Sequence, residues 1–119
     1  MENEFIPYKQ ALELAKLNFN EKCFGYYGLE NELYIEISCN LDSNLTKRNF
    51  IATPTFSQSF RWFREKYNLF GQVNIHTYFI YDISNDGFKM IKQYDKLTNT
   101  YEEAELECLI KLIEIVKNK

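Results

Sequence analysis

Few residues of this chain have the chemistry for catalysis or metal binding: one histidine, His76, and three cysteines, Cys23, Cys39 and Cys108. A catalytic histidine needs partners, and His76 has only Tyr78 and Asp82 on the same face of a predicted strand. No second histidine and no CxxC pair provides a metal-ligand spacing, and no spacing brings a cysteine beside His76. The sequence therefore predicts no catalytic residues, no metal site and no cofactor, and it favours a protein that is not an enzyme.

The cysteines indicate a compartment rather than a reaction. Their number is odd and each lies on an apolar pattern, which is typical of small buried hydrophobic residues. The sequence shows no signal peptide and no apolar run near the ~18 residues that cross a membrane. We therefore expect reduced thiols in a cytoplasmic protein that has no membrane partner.

A basic and aromatic segment at residues 46–66 is the strongest candidate for ligand binding. Basic side chains beside rings suit phosphate contacts and base stacking, but the phenylalanines repeat at the spacing of a helix core. Two interpretations follow: a solvated helix face, or a site for a small anion or nucleotide. The site would consist of Lys47, Arg48, Arg61, Trp62 and Arg64.

Length and charge narrow the class of protein. With 119 residues, 45% of them hydrophobic, the chain is expected to form one globular domain over residues 1–119. The formal net charge of −3 makes nucleic acid an unlikely partner. Basic residues are concentrated in the middle, since residues 43–92 carry seven basic and three acidic side chains.

The first half of the chain predicts a helix and a hairpin. Pro7 fits a first helical turn and is followed by an apolar stripe at spacings of three and four. Residues 23–27 and 33–39 predict two strands joined by a turn at residues 28–31, and the second of these strands alternates apolar and polar side chains. Residues 40–49 are polar and predict an irregular loop.

The second half predicts a helix and a second hairpin. The helix begins at Thr53 with Pro54, or at Thr55 with a capping box to Gln58, and its ring stripe faces the core. Residues 73–83 predict one central strand, which passes through the turn at residues 84–87 into a strand that starts at Phe88.

A long final helix begins at Thr100, which forms a capping box with Glu103. Its apolar residues form two stripes, which is wider than one sheet face requires. We expect the second stripe to pack under the N-terminal helix or across a two-fold axis against another copy. That stripe, the predicted interface, consists of Leu106, Leu109, Ile113 and Val116.

The predicted order of elements is α-β-β-α-β-β-α. Because the strands arrive as consecutive hairpins, the fold class is α+β, with an antiparallel or mixed sheet of about four strands and helices packed on it.

Three stretches add a resemblance: residues 5–12 (FIPYKQAL), residues 54–67 (PTFSQSFRWFREKY), and residues 100–105 (TYEEAE) with 108–113 (CLIKLI). They resemble a family of small uncharacterised proteins encoded by phages and prophages of gut Bacteroidales. The resemblance implies expression in the cytoplasm of a host bacterium, and it implies no site residues.

The expected function is that of a phage or prophage accessory protein which acts by binding a protein. The expected partner is a host or phage protein, or a second copy in a homodimer. The basis for this is the excess of aromatic and aliphatic residues on a short chain without converging catalytic groups. Small-anion or nucleotide binding through residues 46–66 is the alternative.

Overall fold

The computed structural model of the protein describes residues 4–35, 51–84, 87–94 and 96–119. The chain divides into two compact units, Met1–Phe56 and Ser57–Lys119. The expectation of one globular domain over residues 1–119 stays a prediction. Within the described residues the elements are, in chain order, α1 (Tyr8–Lys16), β1 (Gly25–Tyr27), β2 (Leu33–Ile35), β3 (Ile51–Thr53), α2 (Phe56–Tyr67), β4 (Leu69–Val73), β5 (Tyr78–Asp82), β6 (Lys89–Gln93) and α3 (Tyr101–Lys117).

The first unit holds an antiparallel sheet in the order β2-β1-β3, with α1 packed on β3. Pro7 occupies the N-cap position of α1, where its fixed φ suits the helix entry. The buried carbonyl oxygen of Ile6 accepts two hydrogen bonds, from the Tyr27 hydroxyl at 2.7 Å and from the Thr53 hydroxyl at 3.1 Å. These bonds join the segment before α1 to β1 and β3, and they satisfy polar groups that would be costly to bury unpaired.

The second unit holds an antiparallel sheet in the order β4-β5-β6, with α3 packed on β4 and β5. Its core side chains come from both of its helices and two of its strands: Phe63 on α2, Leu69 on β4, Ile80 on β5, and Leu109 and Leu112 on α3 are fully buried. The predicted cap of the last helix is confirmed, because the Thr100 hydroxyl accepts a hydrogen bond from the Glu103 amide at 3.1 Å. The Glu103 carboxylate accepts from the Asn99 amide, one residue before the cap.

The predicted α+β class is confirmed, with helices packed against antiparallel sheets. The predicted number of strands is wrong, since the described residues form two three-stranded sheets and not one sheet of about four strands. The additional strands are β3 and β4. The three residues of β3 are too few to show a periodic pattern, and β4 begins only two residues after α2 ends.

The single strand predicted over residues 73–83 is also wrong, because Val73 is the last residue of β4, residues 74–77 form a turn, and β5 covers only Tyr78–Asp82. Asn74 donates its amide hydrogen to the Thr77 carbonyl at 2.8 Å, which closes a hairpin turn between β4 and β5. The alternation of side chains continued through this turn in the sequence, and no glycine or proline marked it. Ile75, the apolar residue that sustained the pattern, is exposed. β5 is nevertheless the central strand of its sheet, as predicted.

The remaining element predictions have mixed outcomes. The first hairpin is confirmed for β1 and β2, and the start of α2 agrees with the alternative at Thr55, because Thr53 lies in β3. The predicted loop at residues 40–49 lies outside the described residues, as do the last four residues of the strand predicted over 33–39.

Candidate functional site

The sheet of the second unit has one face covered by helices. Gly71 of β4 and Ile80 of β5 are paired across the strands and lie on this covered face. A Cβ atom on Gly71 would lie 2.9 Å from the Cys108 sulfur and 3.2 Å from a methyl group of Leu112, so α3 is very close to the sheet here. Because side chains alternate along a strand, the neighbours of Gly71 and Ile80 lie on the opposite face.

That opposite face is aromatic, and we call it the outer face: Phe70, Tyr81, Phe88 and Met90. Phe70 pairs with Tyr81, and Tyr81 pairs with Met90 across the next strand. Phe88 precedes β6 and meets the Tyr81 ring edge-on, with 6.1 Å between ring centroids. Phe88 is 80% exposed and Met90 is 50% exposed, so large apolar side chains of this face lie in solvent.

A concave site opens on the outer face. It has a volume of about 340 Å³ and is lined by Phe70, Gln72, Tyr81 and Phe88, and we call it the outer pocket. Three of its four lining residues are aromatic, and Gln72 and Tyr81 are the two whose side chains carry a polar group. Neither polar group makes a side-chain hydrogen bond to another of the described residues. The pocket is therefore mainly aromatic, with two residues that can contribute a hydrogen bond.

The Arg64 side chain places a cation beside the outer pocket. The Arg64 guanidinium of α2 lies over the Phe70 ring, 5.5 Å from its centroid. Arg64 is half-buried, and the described parts of the chain give it no carboxylate partner. Arg61, one turn earlier on the same helix, lies 3.8 Å from the Glu65 carboxylate. The two arginines thus differ: Arg61 has an exposed ion pair, whereas Arg64 lies beside an aromatic wall and has no carboxylate partner among the described residues.

The described residues do not bring the five residues predicted for anion binding together in one site. Lys47 and Arg48 lie outside the described residues. Trp62 is only 5% exposed, and its ring packs edge-on against Phe63 and Tyr67, so it is not available to stack on a ligand. Of the three described members, Arg64 is the one that contacts a wall of the outer pocket.

The residues of the predicted interface on α3 are largely covered within the chain. Leu109, Ile113 and Val116 are buried and Leu106 is half-buried. A second copy could reach the three buried side chains only if the chain opened. Contact with another copy through this stripe stays a prediction.

His76 has structural contacts in the turn between β4 and β5. Its Nδ1 donates to the Thr98 carbonyl oxygen at 3.0 Å, and its own carbonyl oxygen accepts from the Thr98 amide at 2.8 Å. The predicted placement of His76 on a strand face with Tyr78 and Asp82 is wrong, since β4 ends at Val73 and β5 begins at Tyr78, which leaves His76 in the turn. Asp82 accepts hydrogen bonds from the Ser84 hydroxyl and amide, which lower the pKa of its carboxyl group.

Two of the three cysteines are described, and both are buried as predicted. Burial raises the pKa of the Cys108 thiol to about 12, so the thiolate that a nucleophile requires is strongly disfavoured. Within the described ranges, no group of three histidine, cysteine or acidic side chains converges as metal ligands do. No helix among those residues has the length and apolar content needed to span a membrane.

Sequence reasoning missed the outer pocket. The available signal was that residues 78–81 carry large side chains on both strand faces, and that Phe88 and Met90 continue the apolar pattern past the turn. No family model, curated protein or solved structure matches the chain.

Proposed function

We propose that the protein is a non-enzymatic binding protein that engages another protein through its outer face. In this proposal it is a phage or prophage accessory protein in the cytoplasm of a host bacterium, a setting that depends on the family resemblance and on the cysteine content. Its partner is a host or phage protein or a second copy of the chain. The observation that carries the proposal is the exposure of Phe88 and Met90 beside a ring-lined pocket.

The composition of the outer face supports a protein partner. Phenylalanine, tyrosine, methionine and arginine are enriched at the centres of protein interfaces, and the outer face with Arg64 contains all four. Single exposed apolar residues are common on protein surfaces, but contiguous ones mark binding sites more often. Here the exposed residues adjoin a concave site, which is the arrangement that accepts an anchoring side chain.

The β6 edge of the same sheet is less suited to binding than the face. β6 is an edge strand, and strand addition at an edge requires a regular row of unpaired backbone groups. The pairing of β6 with β5 shifts by one residue between Ile80 and Tyr81, and β6 carries Lys89 and Lys92. Bulges and lysines are features that protect edges from pairing. The proposal therefore assigns binding to the face of the sheet.

A double substitution, Phe88→Ser with Met90→Ser, tests the proposal. Both side chains are exposed, so the variant is expected to fold while it loses the apolar surface. Ile75→Ser is the matched control, since Ile75 is 69% exposed but lies in the turn between β4 and β5. Sedimentation velocity at micromolar concentrations measures self-association, and affinity purification from infected cells recovers other partners.

We expect self-association or partner recovery with the wild-type chain and the Ile75→Ser control, and its loss with the double variant. A chain that is strictly monomeric and recovers no partner would contradict the proposal. Binding that survives the double substitution would contradict the assignment to the outer face.

Small-anion or nucleotide binding is the second candidate, and it is favoured by the charge of Arg64, which has no carboxylate partner among the described residues. A ligand that binds only the folded state raises the melting temperature. A thermal-shift screen against nucleotides and inorganic phosphate therefore tests this candidate, with Arg64→Gln expected to remove any shift and Arg61→Gln to retain it. No shift with any of these compounds would dismiss it.

A further inference from the structure

The outer pocket has the size of a site for one ring system. Its volume of about 340 Å³ lies at the lower end of the roughly 300–1,000 Å³ range of ligand pockets. Phe70, Tyr81 and Phe88 form walls against which a planar group packs stacked or edge-on, as Tyr81 and Phe88 already do with each other. The Gln72 amide provides a hydrogen-bonding group at the same site.

The positive charge of Arg64 favours a ligand that carries a carboxylate next to the ring that fills the outer pocket. Arg64 lies over Phe70 and has no carboxylate partner among the described residues, and a guanidinium binds a planar carboxylate through two parallel hydrogen bonds. A ligand that fills the pocket with a ring and carries an adjacent carboxylate would satisfy both features.

The surroundings of the outer pocket favour a peptide over a nucleotide. A nucleotide carries several phosphate charges, and its sites gather several cations or backbone donors around them. Among the described residues, the cation that contacts a pocket wall is Arg64, while the neighbouring position across from Tyr81 is the apolar Met90. The residues that flank the anchoring side chain of a protein partner would cover this apolar surface. A phosphate group would find no hydrogen-bond donor in the Met90 side chain.

We infer that the outer pocket receives an aromatic side chain of the partner, and that Arg64 pairs with an acidic residue adjacent to that ring. This inference rests on the proposed function and specifies the partner: a protein segment in which an aromatic residue neighbours an aspartate or glutamate. Phe88 and Tyr81 contact the ring in this arrangement, and Arg64 sets the preference for acid.

Blocked dipeptides test the inference on the full-length chain. The probes are acetyl-tryptophanyl-aspartate amide, its asparagine analogue and its leucyl-aspartate analogue, each titrated while the backbone amide NMR signals of the protein are followed. We expect the first probe to shift the signals of Phe70, Tyr81 and Phe88. The leucyl probe should bind at least about threefold more weakly because it lacks the ring.

The charge preference has its own pair of variants. The asparagine probe should bind about two- to fivefold more weakly than the aspartate probe, the range of a partly exposed ion pair. Arg64→Gln should abolish this difference, whereas Arg61→Gln, on the same helix and paired with Glu65, should retain it. Phe88→Ser, which alters an exposed side chain, should weaken all three probes without unfolding the chain.

Absence of shifts at the outer pocket, or equal affinity of the aspartate and asparagine probes, would overturn the inference. Tighter binding of adenosine monophosphate than of the aspartate probe at the same residues would overturn it in favour of the nucleotide. The proposed function is tested independently of this inference. Partner recovery that depends on Phe88 and Met90 would support the proposed function even if no dipeptide binds.

Discussion

At the scale of single residues, Gly71 shows how closely α3 packs on its sheet. A Cβ atom there would lie 2.9 Å from the Cys108 sulfur, closer than side chains approach one another in folded proteins. Gly71→Ala should therefore destabilise the chain by about 1–3 kcal/mol, the usual cost of overpacking a core. Urea denaturation measures this as a lower midpoint at constant slope.

The control for Gly71→Ala is the same substitution in a Cys108→Ala background. Removal of the sulfur leaves space for the added methyl group, so the cost at residue 71 should shrink and the two substitutions should be non-additive. An equal cost in both backgrounds would show that contact with Cys108 is not the cause.

At the scale of elements, the second apolar stripe of α3 could belong to the core of the single chain or to an interface with another copy. Leu109 is 0% exposed in the single chain. Leu109→Glu should unfold the protein, because an unpaired buried charge costs several kcal/mol against a total stability of about 5–15 kcal/mol. Circular dichroism and sedimentation velocity distinguish the outcomes, and Leu106→Glu, at a half-buried position of the same helix, should be milder.

Two other results would change the interpretation of α3. A folded Leu109→Glu chain with half the wild-type mass would support the predicted subunit contact. A folded chain of unchanged mass would show that the stripe contributes to neither core nor interface.

At the scale of the whole molecule, buried acids make stability depend on alkaline pH. Burial raises the pKa of Cys108 from its ordinary value of 9.0 to about 12, and burial also raises the pKa of Tyr78 above its ordinary 10.0. The unfolded chain therefore releases these protons at lower pH than the folded chain. Stability is fully present below about pH 9 and falls as pH rises through the folded pKa values.

Urea midpoints measured from neutral pH to about pH 11 should decline above about pH 9, because the free energy of unfolding falls by up to ~1.4 kcal/mol per pH unit for each such group. Cys108→Ala removes one titrating group and should give a shallower decline, although it is less stable at neutral pH because of the lost packing. A wild-type midpoint that is flat across this range would contradict the prediction.

The sequence by itself determined the features that depend on neighbours along the chain. The cap at Thr100 and Glu103 needs only two residues three positions apart, and the ring stripe of α2 needs only a spacing of three and four. The first hairpin and the α+β class follow from similar local signals, because consecutive strands with short connections pair as antiparallel neighbours.

Only the tertiary structure decided which side chains became core and which became site. β3 has three residues, and a strand so short exists because β1 provides its hydrogen-bond partners. Trp62 and Phe88 are both large aromatic residues on apolar patterns, yet one is buried and the other is 80% exposed. Hydrophobicity is a property of the residue, whereas burial depends on which sheet face the helices cover. In this protein the helices cover the sheet face of Gly71, and the face of Tyr81 is left to form the outer pocket.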